Sequence, residues 1–145
     1  LRLFGDRAQS KGLDLADLVR LPRATTVDAD PVRLAQVLSN LVNNALKFTE
    51  TGGVTLEIEA DPQDAARVRF SVVDTGIGIP AAEQEKIWAR LYRGDRSRSQ
   101  RGLGLGLSLV KAVVEAHGGR VAVASQANEG ATFTVKLPKQ FPAAR

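Results

Sequence analysis

The sequence predicts an α+β fold, a two-layer α/β sandwich with helices packed on one face of a mixed, largely antiparallel sheet. Three features lead there. Helical and strand periodicities alternate along the chain without the regularity of βαβ units. The stretch 31–48 carries apolar residues at helical spacing behind a strong start signal. Two pairs of alternating segments, each pair joined by a turn-rich loop, read as hairpins. At 145 residues with 43% hydrophobic content, the chain is the size of one domain, with a core expected over about 12–138.

A short helix is expected first, through Leu3, Phe4 and Ala8, broken at Gly12; Leu13, Leu15 and Leu18 then read as an extended segment. Asp30 followed by Pro31 gives an N-cap with proline in the first turn, and Leu34, Leu38, Leu41, Ala45 and Phe48 continue at helical spacing. Strict alternation of Val54, Leu56 and Ile58, then of Val68, Phe70 and Val72, across a loop at Asp61–Asp64, predicts the first hairpin. A short helix is expected around 82–91, and another from about Leu105 to His117, stopped by Gly118 and Gly119. Val121 and Val123, then Phe133, Val135 and Leu137, flank a turn at Asn128–Gly130 and close the domain with a second hairpin.

Composition narrows the function. No run of eighteen apolar residues is present, so no direct membrane contact is expected from this chain. Cysteine is absent, which removes disulfides and thiolate chemistry and suits a cytoplasmic setting. Methionine is absent too, and we expect a piece of a longer protein. The net charge of +4 is concentrated at Arg93, Arg96, Arg98 and Arg101, with Asp95 among them. Such a loop suits phosphate, or is a solvated loop without a role; only Tyr92 is interleaved, so no nucleic-acid partner is expected.

Three constellations carry chemistry. On the 31–48 helix, Arg33, Gln36, Asn40, Asn44 and Lys47 form one stripe, with Asn43 at its margin. Asparagine is a poor helix former, so its clustering asks for a reason. An amide oxygen suits a partly hydrated Mg2+ held on phosphates, with Lys47 one turn on; a merely soluble face is the plain alternative. The second is Asp74-Thr75-Gly76-Ile77-Gly78-Ile79-Pro80, where parity puts Asp74 in phase with Val68, Phe70 and Val72. A buried carboxylate needs donors, and the exocyclic amine of adenine is one. A strand-ending turn and an aspartic-protease motif are the rivals, the latter requiring a second such carboxylate and a nearly all-β chain. The third, Gly102-Leu103-Gly104-Leu105-Gly106-Leu107, opens a helix and reads as a phosphate cradle, though it is neither a Walker A loop nor a Rossmann fingerprint.

In order and spacing the three resemble the N, G1 and G2 boxes of the histidine kinase branch of the ATPase superfamily shared with gyrase, Hsp90 and MutL. Asn40 to Thr49 matches the N box, Asp74 to Pro80 the G1 box, Ile87 to Arg93 the F box and Gly102 to Leu107 the G2 box. The F box departs from Phe-x-Pro-Phe, with Trp88, Arg90 and Leu91 at the first Phe, the Pro and the second Phe. The resemblance implies the Bergerat ATP-binding fold, with ATP and Mg2+ bound. It makes Asn44 the metal ligand, with Asn40 and Lys47 supporting metal and phosphates. Phe48 would contact adenine and Asp74 would accept from its amine, with Gly76 and Gly78 shaping that loop. Arg93 would meet the γ-phosphate, as a catalytic residue with Lys47, and 93–103 would form a lid. Gly102, Leu103, Gly104, Leu105 and Gly106 would hold phosphates, and Thr132 would place a hydroxyl near Asp74. His117-Gly118-Gly119 matches a structural motif rather than a phosphoacceptor.

The implied activity is transfer of the ATP γ-phosphate to a histidine on a separate helical dimerisation domain of the same kinase, and the response regulator receiver domain would be a further partner. The full protein would be a membrane-anchored homodimer with this domain in the cytoplasm. Hydrolysing relatives place a glutamate one turn before the magnesium asparagine, where this chain has Asn40. The alternative is a degenerate or conformational ATP-binding module without kinase activity.

Overall fold

In the computed structural model, residues 4–21, 27, 29–89 and 106–139 are described. The chain begins with α1 (Gly5–Lys11), which ends where Gly12 takes a left-handed conformation at φ +69°. Strand β1 (Asp14–Arg20) leads towards the long helix α2 (Pro31–Phe48). The hairpin β2 (Gly53–Asp61) and β3 (Asp64–Asp74) follows, then α3 (Gly106–Ala116) and a second hairpin, β4 (Arg120–Ser125) and β5 (Ala131–Pro138).

Among the described residues five strands form one sheet in the order β1-β2-β3-β5-β4, with β1–β2 parallel and the other pairs antiparallel, Leu56 opposite Val72 and Phe70 opposite Val135. The expected mixed, largely antiparallel sheet is therefore the one observed. Alternation assigns its faces: Val54, Leu56, Val68, Phe70, Val72, Phe133, Val135 and Leu137 are buried. Onto that face pack Val37, Leu41, Val42, Ala45 and Leu46 of α2 and Val110 and Val114 of α3. The other face carries charge, with Arg20 3.7 Å from Glu57 and 3.4 Å from Glu59, and Arg69 paired to Glu59. Such pairs contribute little each but keep that face wet.

Two expectations about elements change. The segment after Pro80 forms two 3-10 turns, Ala81–Glu83 and Lys86–Trp88, in place of a helix over 82–91. Ile87 is the only buried residue among the described residues 81–89, too few apolar contacts there to reward a regular helix; 90 and 91 lie outside the described residues. On α2 the buried set includes Val37, Val42 and Leu46, while Leu34 and Leu38 are only half-buried. No helix among the described residues is long and apolar enough to cross a membrane.

Candidate functional site

Helix α2 is fixed at both ends. At its start, Asp30 Oδ1 accepts from the amides of Val32 (2.9 Å) and Arg33 (3.4 Å), and Pro31 occupies a position whose N–H would be orphaned anyway. At its end, the Lys11 ammonium donates to the carbonyls of Leu46 and Lys47, placing a cation at the negative end of the helix dipole. Beyond the exposed Arg33, the polar stripe is not a solvent face. Asn40, Asn44, Lys47 and Phe48 are half-buried, whereas Asn43 is exposed, receiving Arg7, and Val32 is 74% exposed. Amides in a half-buried row are costly without partners. Lys47 Nζ lies 5.4 Å from the Phe48 ring centroid, within cation–π range.

Asp74 ends β3 on the core face, as parity predicts, and is 9% exposed. Its Oδ1 accepts from the Gly76 amide at 2.8 Å. Burial raises the carboxyl above its ordinary value of 3.8, while the amides of Gly76 and Ala131 pull it the other way. The loop beyond Asp74 closes onto the end of α2: the Ile77 amide donates to the Phe48 carbonyl at 3.2 Å, and a Cβ at Gly76 would strike that same oxygen. Beside it the Thr49 hydroxyl is fully buried and has no hydrogen-bond partner among the described residues. Gly78, at φ +72°, has no room for a Cβ against the Gln126 carbonyl. The C-terminal end of α2 and the loop of the buried carboxylate are thus joined by main-chain contacts.

Thr132 is not brought there. Asp74 pairs with Ala131, and Ala131, Phe133, Val135 and Leu137 face the core. Thr132 pairs with Val73 and points to the opposite face of the sheet. The residue on the Asp74 face at this level is Ala131, which has no hydroxyl. Trp88 packs edge-on against Phe133, with ring centroids 5.9 Å apart at 85°, so the altered F box keeps an aromatic anchor. His117 Nδ1 lies 2.7 Å from the Val113 carbonyl and its Nε2 accepts from the Asp30 amide at 3.2 Å. The ring therefore bridges the end of α3 to the cap of α2, with both nitrogens engaged. Gly106 is the first residue of α3, with open space where a Cβ would stand. Arg93, Gly102, Leu103, Gly104 and Leu105 lie outside the described residues.

Sequence reasoning gave no role to Thr49, Gln84 or Ser125. Thr49 is the last residue of the matched N box, so its place was visible; the other two are single polar residues at a turn and a strand end and carry no pattern.

A family model described as histidine kinase-, DNA gyrase B-, and HSP90-like ATPase matches residues 29–140. The chain belongs to this ATPase family. Within it, the chain is similar to sensor histidine kinases. It is 45% identical over 113 residues to the adaptive-response sensory kinase SasA of Synechococcus elongatus, covering 78% of this chain and 29% of that protein. It is 37% identical over 145 residues to the sensor protein GacS of Pseudomonas syringae pv. syringae, covering 96% and 16%. Full-length ShkA in complex with AMPPNP superposes with a TM-score of 0.86 at 40% identity, covering 99% of this chain and 29% of that one. The nucleotide-free catalytic domain of histidine kinase ThkA gives 0.79 at 30% identity, covering 94% and 87%. The chain thus spans less than a third of the length of these curated relatives.

Proposed function

We propose that this domain binds Mg-ATP and presents its γ-phosphate to a histidine carried by a separate helical domain of the same kinase. The observation that carries the reading is the junction just described, where the last turn of the asparagine-bearing helix is tied to the loop of a buried carboxylate. Asp74 retains acceptor capacity while its burial disfavours its charge, a setting that an adenine amine would improve. Asn44 and Asn40 offer neutral oxygen donors for Mg2+, and Lys47 on the next turn offers a cation for phosphate oxygens.

When bound, Mg-ATP supplies an activated phosphoryl group. The protein's part is to position it and to hold charge: Asp74 orients the base, Asn44 and Lys47 hold the metal and phosphate end, and Arg93 is assigned to charge developing on transfer. Helix α2 contains no Asp or Glu, so it offers no general base for activating water or a hydroxyl. A neutral imidazole is a competent nucleophile near neutral pH and requires no such base. This favours a histidine acceptor over hydrolysis. The acceptor is placed outside the domain, because both nitrogens of His117 are engaged in joining α3 to α2.

Titration calorimetry with ATP, with and without Mg2+, tests the reading on the parent and on Asn44→Ala. Tighter binding with Mg2+, lost selectively in the variant, is expected. Absence of ATP binding would defeat the proposal, and equal losses with and without metal would move the metal from Asn44.

A further inference from the structure

The loop from Asp74 to Pro80 is held from a side that the nucleotide reading does not use. The Ile79 amide donates to Ser125 Oγ at 2.8 Å, and that hydroxyl in turn donates to the Gly130 carbonyl at 2.6 Å. From the 3-10 turn beyond the loop, Gln84 Nε2 donates to the Ile79 carbonyl at 2.9 Å and to the Ser125 carbonyl at 2.7 Å. The Asn128 amide reaches the Ile77 carbonyl, with Asn128 itself at φ +67°. Steric fit completes the lock: a Cβ at Gly130 would strike the Asp74 carbonyl, and one at Gly78 the Gln126 carbonyl.

Every polar main-chain group of Ile79 is therefore satisfied by a side chain, Ser125 for its N–H and Gln84 for its C=O. Both side chains are half-buried, so these bonds are partly shielded from competition by water. A glycine-containing loop has much conformational freedom to lose. Main-chain bonds from Thr75 to Gly53 and from Ile77 to Phe48 hold its first half, and the clasp holds its second half at Ile79.

We infer that Ser125 and Gln84 are positioning residues for base recognition, a clasp between the β4–β5 turn and the Asp74 loop that sets how well the pocket reads adenine. The inference rests on the assignment of Asp74 to adenine. The clasp acts before binding, by holding Asp74, Gly76 and Ile77 in the bound arrangement so that ordering them is not charged against affinity. Its loss weakens recognition of the base more than attachment of the phosphates, which belongs to α2 and the start of α3.

The test uses Gln84→Met, which keeps length and packing but removes both donors, together with Ser125→Ala and the conservative Ser125→Thr. Kd values for ATP and GTP, each with Mg2+, are measured beside thermal melting of the nucleotide-free protein. Gln84→Met and Ser125→Ala should each weaken ATP about three- to tenfold, the worth of one or two hydrogen bonds. The ATP-over-GTP preference should shrink by a similar factor, and Ser125→Thr should restore most of it. A purely structural clasp would lower the melting temperature without touching that preference. An unchanged ATP Kd and preference in folded variants would overturn the inference while leaving the nucleotide reading intact. A parent that does not bind ATP would overturn both.

Discussion

Replacing Asp74 by Asn separates recognition from folding. The carboxylate is buried, accepts from the amides of Gly76 and Ala131, and is held above its ordinary value because burial disfavours the charge. A hydrogen bond from a base amine to a charged acceptor contributes about 1.5–3 kcal/mol, so its loss should raise the ATP Kd roughly 10- to 150-fold. The fold should not suffer, because an Asn oxygen can still accept from Gly76 and the desolvation of a charge disappears. The pH dependence has a definite sign. A carboxyl whose folded pKa is raised binds more protons folded than unfolded, so parental stability falls as pH rises from its ordinary 3.8 through the folded value. Asp74→Asn removes that fall, and the variant should match or exceed the parent in melting temperature at neutral pH. Displacement of a fluorescent ATP analogue and melting curves from acid to neutral pH measure both effects. A variant that binds ATP within about twofold of the parent, or one that unfolds at neutral pH while the parent stands, would refute the reasoning.

Gly78→Ala should both destabilise the domain and weaken ATP binding, since alanine disfavours φ +72° and its Cβ would strike the Gln126 carbonyl; melting and calorimetry check this. His117→Ala should lower the melting temperature slightly, because it breaks the bridge between Val113 and Asp30 while water can take its place at the exposed Asp30 amide, a loss of about 0.5–1 kcal/mol. It should leave nucleotide affinity nearly unchanged by calorimetry. Arg93→Ala, by the charge argument, should slow phosphoryl transfer to a supplied acceptor at least tenfold while changing ATP affinity about threefold or less.

The sequence was most legible where pattern and chemistry coincide. Strand parity alone put Asp74 among Val68, Phe70 and Val72, and the structure buries all four. The Asp30–Pro31 start signal and the apolar spacing marked α2 to its ends. The first hairpin was legible, but the parallel pairing of β1 to β2 was not, since it depends on contacts across α2 that no local pattern encodes. Thr132 was misplaced by one residue, and with a period of two, one residue is a change of face. The expected helix over 82–91 failed differently: among its described residues only Ile87 is buried, and two 3-10 turns stand in its place. Gln84 and Ser125 were invisible because a single polar residue acquires its role only when a distant turn arrives beside it.

The central claim is that the domain donates the γ-phosphoryl group to a histidine it does not itself contain. The direct measurement incubates it with γ-labelled ATP and Mg2+, alone and with the helical dimerisation segment of its own kinase, followed by acid and alkali treatment of the products. We predict acid-labile, alkali-stable label on the segment, none on the domain alone, and none when the segment's acceptor histidine is replaced. Stoichiometric label on the isolated domain that vanishes in His117→Ala would contradict the account and make the α3–α2 bridge the phosphorylation site.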